Sequence, residues 1–65
     1  MKIDFSAIGK RIQCRRRQQK KTQDELAEAL LVSVGYVSQI ERGVTKISLE
    51  TLAGIADFLG CSIGE

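Results

Sequence analysis

A chain of 65 residues, 43% hydrophobic and 28% charged, forms at most one small domain, which leaves little room for an enclosed active site beside its core. The absence of histidine and the wide spacing of Cys14 and Cys61 argue against a zinc site, and two reduced thiols are favoured over a disulfide. No apolar run approaches the roughly 20 residues that span a bilayer, and residues 1–6 lack the apolar stretch of a signal peptide, so we expect a cytoplasmic protein without membrane association.

Charge is distributed unevenly along the sequence. Residues 1–21 contain eight basic residues and one acidic residue, whereas residues 22–65 contain two basic and seven acidic residues. Such an asymmetry is typical of a surface that binds a polyanion such as a nucleic acid. A solvated helix with scattered charge explains it equally well, so charge alone leaves both interpretations open.

The first half of the sequence predicts two helices. Ile8 and Ile12 lie four residues apart and begin an apolar stripe on a helix over roughly residues 6–19. Residues 22–25 form a capping box, in which the Thr22 hydroxyl and the Glu25 carboxylate each accept a hydrogen bond from the other residue's amide. This box begins a second helix that ends near Leu31, and its inward residues are Leu26, Ala27 and Leu30.

Two more helices follow. Ser33 is the N-cap of a third helix that turns Val37 and Ile40 inward and stops at Gly43. The second and third helices flank a tight turn, which is the outline of a helix-turn-helix. Ser48 caps a fourth helix that Gly60 ends, with these residues on its apolar face: Leu49, Leu52, Ile55, Ala56 and Leu59. Residues 62–65 resemble the start of a fifth helix that the sequence cuts short.

These elements carry strings that together resemble the Cro/cI-type (XRE-like) helix-turn-helix domain, from Ile8 to Glu65. The strings, each at the family's spacing, are IGKRI at 8–12, TQDELA at 22–27, VS at 32–33, YVSQIERG at 36–43 and SLETL at 48–52. The resemblance implies a single all-α domain over residues 1–65, a compact four- to five-helix bundle of lambda-repressor-like fold whose third helix reads DNA. Leu31 replaces the glycine usual in the turn, and Ile47 replaces a frequent proline; both departures are expected to lower stability without changing the fold.

The resemblance also implies which residues face base edges in the major groove. They are Ser33, Val34, Gly35, Ser38 and Gln39. Gln39 is the strongest reader because a glutamine amide pairs with adenine through two hydrogen bonds, although an exposed polar residue without that role is the alternative. Val34 offers a methyl surface to thymine or else packs in the turn, and Gly35 allows close approach of the backbone. Because this set is weak, we expect DNA shape to supply part of the specificity.

Phosphate contacts are implied by the same match. The predicted set is Thr22, Gln23, Tyr36, Arg42 and Lys46, with the last two in the loop after the third helix. Arg16 and Glu41 are expected to pair across the first and third helices in a structural role, with a phosphate contact as the alternative for Arg16. A diffuse positive field, or simply solvated charge, is expected from Arg11, Arg15, Arg17, Lys20 and Lys21.

Taken together, these residues favour a sequence-specific transcriptional regulator, a repressor that binds double-stranded DNA on a palindrome as a homodimer. Phe58, Cys61 and Ile63 are candidates for the dimer surface, with core packing as an equal alternative for each. The competing hypothesis is a protein-interaction module of the same fold, such as an antitoxin or a coactivator adaptor. No catalytic constellation, nucleotide motif, cofactor site or small-molecule site is evident, so we expect no enzyme.

Overall fold

The computed structural model describes residues 3–60, which form four helices and no strand. In chain order they are α1 (Phe5–Gln18), α2 (Gln23–Leu30), α3 (Val34–Arg42) and α4 (Leu49–Leu59). The predicted all-α fold and its four helices are confirmed, while the suggested fifth helix lies outside the described residues. Within residues 3–60, no helix has the length and apolar character needed to cross a membrane.

A side chain caps the start of every described helix. The Thr22 capping box is complete, and Ser33 and Ser48 accept from the amides of Tyr36 and Thr51, each at 3.1 Å. The first cap was not predicted: Asp4 accepts from the Ala7 amide at 3.1 Å, and α1 starts at Phe5, one residue earlier than predicted. These caps bind amides that the first helical turn leaves without partners, and they fix the helix boundaries closely.

Left-handed residues end the last three helices. Gly43 and Gly60 adopt φ values of 73° and 66°, which glycine tolerates without a steric penalty. Leu31 adopts φ 59° and ψ 42° at the end of α2, although its side chain is 92% exposed and gains no burial there. The turn therefore keeps the left-handed geometry that a glycine would favour, and Leu31 carries a steric cost of about 1–2 kcal/mol.

The core lies at the centre of the four helices. Its buried apolar side chains are Ile12, Leu26, Ala27, Val37, Ile40, Ile55 and Leu59. Partly buried residues that pack against this cluster include Ile8, Leu30, Tyr36, Ile47, Leu52 and Phe58. The predicted inward faces are confirmed with one exception: Leu49, the first residue of α4, is 85% exposed.

Two glycines bring α1 and α3 into close contact. A methyl group on Gly9 would collide with the carbonyl oxygen of Ile40 and lie 2.6 Å from that of Glu41. Gly43, just after α3, approaches the backbone of Ser6 with similar closeness. Because neither site has room for a side chain, α1 is the support against which α3 is fixed along its C-terminal half.

Candidate nucleic-acid interface

The N-terminal half of α3 presents an open surface. Ser33, Gly35 and Gln39 are exposed, Val34 is 44% exposed and Ser38 is half-buried, whereas Val37 and Ile40 on the opposite side are buried. The structure thus brings the five predicted base-reading residues to one side of the helix-turn-helix. Val34 lies outside the core cluster, which favours its exposed interpretation over packing in the turn.

Gly35 is a glycine that the fold itself does not require. It lies inside α3, its φ is not positive, and a methyl group added there would meet only the Ser33 hydroxyl, at 3.9 Å. Glycine inside a helix costs about 0.5–1 kcal/mol relative to alanine. Gly35 therefore matters for the surface of the protein and not for its packing, because it leaves a gap without a side chain on the exposed surface of α3.

A basic cavity of about 450 Å³ lies at the N-terminus of α2, next to the start of α3. Its lining contains three basic side chains and one acidic side chain, namely Arg16, Arg17, Lys21 and Asp24, together with Thr22, Gln23 and Val34. The first amides of a helix carry partial positive charge and point outward, so this end of α2 attracts anions. Both the cavity and the exposed surface of α3 include Val34, and the two features are continuous.

Two predicted phosphate ligands at this cavity have partners within the protein. The Thr22 hydroxyl accepts from the Glu25 amide at 3.1 Å, and the Thr22 amide donates to Glu25 Oε1 at 2.9 Å. The side-chain amide of Gln23 donates to Glu41 Oε1 at 3.0 Å. The Gln23 side chain already donates to Glu41 in this structure. The group that can bind an anion at this position is therefore the backbone amide at the start of α2.

Two of the three remaining predicted phosphate ligands, Arg42 and Lys46, lie toward the other end of α3. Arg42 is the last residue of α3, so its predicted place in the following loop is wrong; its Nε donates to the Ser38 carbonyl at 3.4 Å. Lys46 is exposed in the loop between α3 and α4, as predicted. Tyr36 is half-buried and its ring packs against the core.

Arg16 and Glu41 form a two-pronged ion pair between α1 and α3. Arg16 Nε donates to Glu41 Oε2 at 2.7 Å and Nη2 donates to Oε1 at 3.0 Å, while the two residues are only 8% and 4% exposed. The third nitrogen, Nη1, donates to the Lys21 carbonyl at 2.8 Å. Since all three guanidinium nitrogens have partners in the protein, the structure favours the structural role of Arg16 over a phosphate contact.

Two glutamines complete this network. Gln23 from α2 and Gln13 from α1 both donate to Glu41 Oε1, at 3.0 and 3.3 Å. Burial alone would raise the pKa of Glu41. Hydrogen bonds from Arg16, Gln23 and Gln13, together with the positive charge of Arg16, outweigh this effect. The pKa of Glu41 therefore lies below its usual value. The hydrogen bond to Glu41 likewise raises the pKa of Arg16. One carboxylate therefore joins α1, α2 and α3.

Gln13 was missed by the sequence analysis, although it lies three residues before Arg16 and so on the same side of α1. Lys21 was assigned to a diffuse positive field, but its ammonium donates to the Phe58 carbonyl at 2.9 Å and lies 4.2 Å from the centre of the Phe58 ring. Phe58 is half-buried against the core, which supports the packing alternative for it. The other dimer candidates, Cys61 and Ile63, lie outside the described residues.

Comparison with known proteins identifies the family. A helix-turn-helix family model matches residues 12–65. The immunity repressor protein of Bacillus phage phi105 is 39% identical over 56 residues, which cover 86% of this chain and 39% of the repressor. The chain therefore spans well under half of that relative's length.

Two solved structures have the same fold. The clp gene regulator ClgR from Corynebacterium glutamicum superposes with a TM-score of 0.89 at 39% identity, covering 95% of this chain and 66% of that one. The restriction-modification controller protein C.AhdI from Aeromonas hydrophila gives 0.85 at 27% identity, covering 92% and 91%. The match to the family model, together with these relatives, shows that the chain belongs to the XRE-type helix-turn-helix family of DNA-binding transcriptional regulators.

Proposed function

We propose that this chain is the DNA-binding part of a transcriptional repressor that acts in the cytoplasm and binds a palindromic operator as a dimer. The observation that carries the proposal is the exposed N-terminal half of α3 beside a basic cavity at the start of α2. An α-helix fits the major groove, and a helix N-terminus beside it suits a backbone phosphate. The protein can therefore contact base edges and phosphates of the DNA at the same time.

Positive groups lie at both ends of α3. The cavity with Arg17 adjoins its first residue, and the exposed Arg42 and Lys46 lie at and beyond its last residue. An α-helix with its side chains is about 10–12 Å across, close to the ~12 Å width of the major groove. We infer that α3 lies in the groove while these two basic groups hold the phosphates that border it.

Base readout rests on few side chains. Gln39 supplies the amide that pairs with adenine, and Val34 with the Gly35 gap supplies an apolar spot that accommodates a thymine methyl. Such a set discriminates few base pairs per copy. Two copies on half-sites about 34 Å apart would roughly double the contact free energy.

The relatives support a regulatory rather than a catalytic role. One is named an immunity repressor protein and two are named regulator or controller proteins. We therefore propose that the chain has no enzymatic activity of its own.

Selection of bound sequences from random duplex DNA tests this function. We expect a palindrome, and we expect Gln39→Ala to lose about 1–3 kcal/mol of affinity and to relax the preference at one or two base pairs. Lys46→Ala is the matched control, because it should weaken binding to every duplex alike. Recovery of no enriched sequence, with the folded chain instead captured by a protein partner, would favour the interaction-module hypothesis.

A further inference from the structure

A second open cavity, of about 490 Å³, lies between the end of α2 and the start of α4. The residues that line it from the α2 side are apolar, and those from the start of α4 are polar or acidic. A methyl group added to Gly54 would lie 2.9 Å from Leu30 Cδ2, so the two helices are in close contact there. We call this cavity the α2–α4 groove; its lining includes Ala29, Leu30, Val32, Ser48, Glu50 and Gly54.

Two exposed leucines flank the α2–α4 groove. Leu31 and Leu49 are the two most exposed large apolar side chains of residues 3–60. Each lies in sequence between two residues that line the groove, Leu31 at the end of α2 and Leu49 at the start of α4. A single exposed leucine is ordinary on a protein surface, but a pair on the two sides of one groove offers a continuous apolar contact.

Leu31 is also strained. Its φ of 59° lies in the left-handed region, where a leucine has a steric cost that a glycine avoids. Its side chain gains no burial within the chain that would offset this cost. Backbone strain without such compensation is found at segments that clamp ligands. The leucine at this position therefore indicates a contact outside the chain.

The charge around the α2–α4 groove is acidic. Glu50 lines the groove, and Glu28 precedes the lining residue Ala29; both carboxylates are exposed. Among residues 3–60, neither of them forms an ion pair. The two helices contain no basic residue, and their acidic residues are Asp24, Glu25, Glu28, Glu50 and Asp57. The groove therefore presents negative charge that a basic partner can neutralise.

We propose that the α2–α4 groove docks a basic amphipathic helix of another protein. The apolar side of that helix packs on Leu31, Leu49 and the apolar wall of the groove, and its lysines or arginines lie beside Glu28 and Glu50. A second copy of this chain matches the groove less well. Its basic helix, α1, carries none of the large apolar side chains that are exposed within residues 3–60.

This docking site goes beyond the proposed function, because it lies apart from the proposed DNA-binding surface. The basic cavity lies at the N-terminus of α2 and the groove at its C-terminus, about 12 Å away along an eight-residue helix. The two cavities share no lining residue. The acidic groove also repels DNA. A chain bound to its operator can therefore hold a second protein at the same time.

The first experiment uses three peptides of about 18 residues as probes. All have leucines at helix positions i, i+3, i+4 and i+7, and their other positions are lysine, glutamine or glutamate. Fluorescence anisotropy measures their binding to the full chain. We expect the lysine peptide to bind saturably, about tenfold or more tightly than the glutamate peptide, and less tightly as salt is added. Absence of saturable binding, or equal binding of the glutamine or glutamate peptide, would overturn the inference.

The second experiment repeats the lysine-peptide titration with variants. Leu31→Gly suits the left-handed backbone, so it removes the side chain and keeps the fold, and it should weaken binding about tenfold. Glu50→Gln should weaken binding severalfold and reduce its salt dependence. The matched control is Val44→Ala, which shortens an exposed apolar residue outside the groove and should bind as the wild type does. Wild-type affinity in folded Leu31→Gly, verified by circular dichroism, would overturn the inference.

Two further measurements separate the docking site from the other roles of the chain. Without peptide, Leu31→Gly should bind a mixed-sequence duplex as tightly as the wild type; a loss would place the groove in the DNA interface and overturn the inference. A wild-type chain that binds no DNA contradicts the proposed function, whereas the peptide titrations still decide the inference. Sedimentation should show no self-association that Leu31→Gly abolishes, since such a result would mean that a second copy covers the groove.

Discussion

Replacement of Glu41 by glutamine is expected to remove a large part of the folding stability. The Glu41 carboxylate accepts four hydrogen bonds, and its partner Arg16 is only 8% exposed. Glutamine preserves the shape but removes the charge, which leaves the Arg16 guanidinium buried without a counterion. Breaking a buried pair in this way costs about 3–5 kcal/mol. A domain of 65 residues has only about 3–10 kcal/mol in total, so the variant should be largely or wholly destabilised.

Urea unfolding at pH 7, followed by circular dichroism, measures this loss. The comparison includes Arg16→Met alone and the double variant, which has neither buried charge. We expect the double variant to be less destabilised than the sum of the two single variants, because the second change removes the charge that the first leaves unpaired. A loss below about 1 kcal/mol in Glu41→Gln, or single effects that simply add, would refute the reasoning.

Four further predictions concern pH and single substitutions. Lowering the pH from 7 to 3 should destabilise the wild type in urea unfolding more than it destabilises the double variant Arg16→Met/Glu41→Gln. The pKa of Glu41 is lowered by folding, so its contribution is complete above the unfolded value of about 4.3 and is lost as the pH falls through the folded value. Leu31→Gly should raise stability by about 0.5–1 kcal/mol, because relief of the left-handed strain exceeds the added entropy of the unfolded chain; Leu31→Ala, equally strained and equally exposed, should not. Gly9→Ala should lower the thermal midpoint markedly, because its methyl collides with the Ile40 carbonyl, and an unchanged midpoint would contradict the close packing of α1 on α3. Gly35→Ala should raise stability by about 0.5–1 kcal/mol yet weaken DNA binding in anisotropy titrations, and equal or tighter binding would show that nothing approaches this gap.

Local signals were sufficient to predict the helices. The serine and threonine caps and the glycines that end α3 and α4 act within one helical turn, so the boundaries were predicted to within a residue or so. The exceptions have physical reasons. Asp4 starts α1 earlier than the apolar stripe indicates, because a cap can precede the first inward residue. Leu49 is exposed although its position fits the apolar face of α4. The burial of a residue in the first turn of a helix depends on whether another element packs against that turn, which the sequence pattern does not show.

The candidate site was predictable in outline but not in its hydrogen bonds. Helix periodicity and the family strings indicated which residues of α3 face outward, because that follows from position along one helix. The Gln13 and Gln23 bonds to Glu41 and the bond from Lys21 to Phe58 join residues 18–37 positions apart in sequence. Such pairs depend on how the helices pack, and a lysine or glutamine in a polar run gives no sign of its distant partner.

We propose that the basic cavity and the residues at and after the end of α3 hold DNA phosphates while α3 lies in the major groove. The most direct measurement is the affinity of the wild-type chain for a mixed-sequence duplex over a range of salt concentrations. Each neutralised phosphate contributes about −0.9 to the slope of log K against log salt, so three or more contacts predict a slope of about −3 or steeper. A slope near zero, or no binding at low salt by the folded chain, would contradict the account.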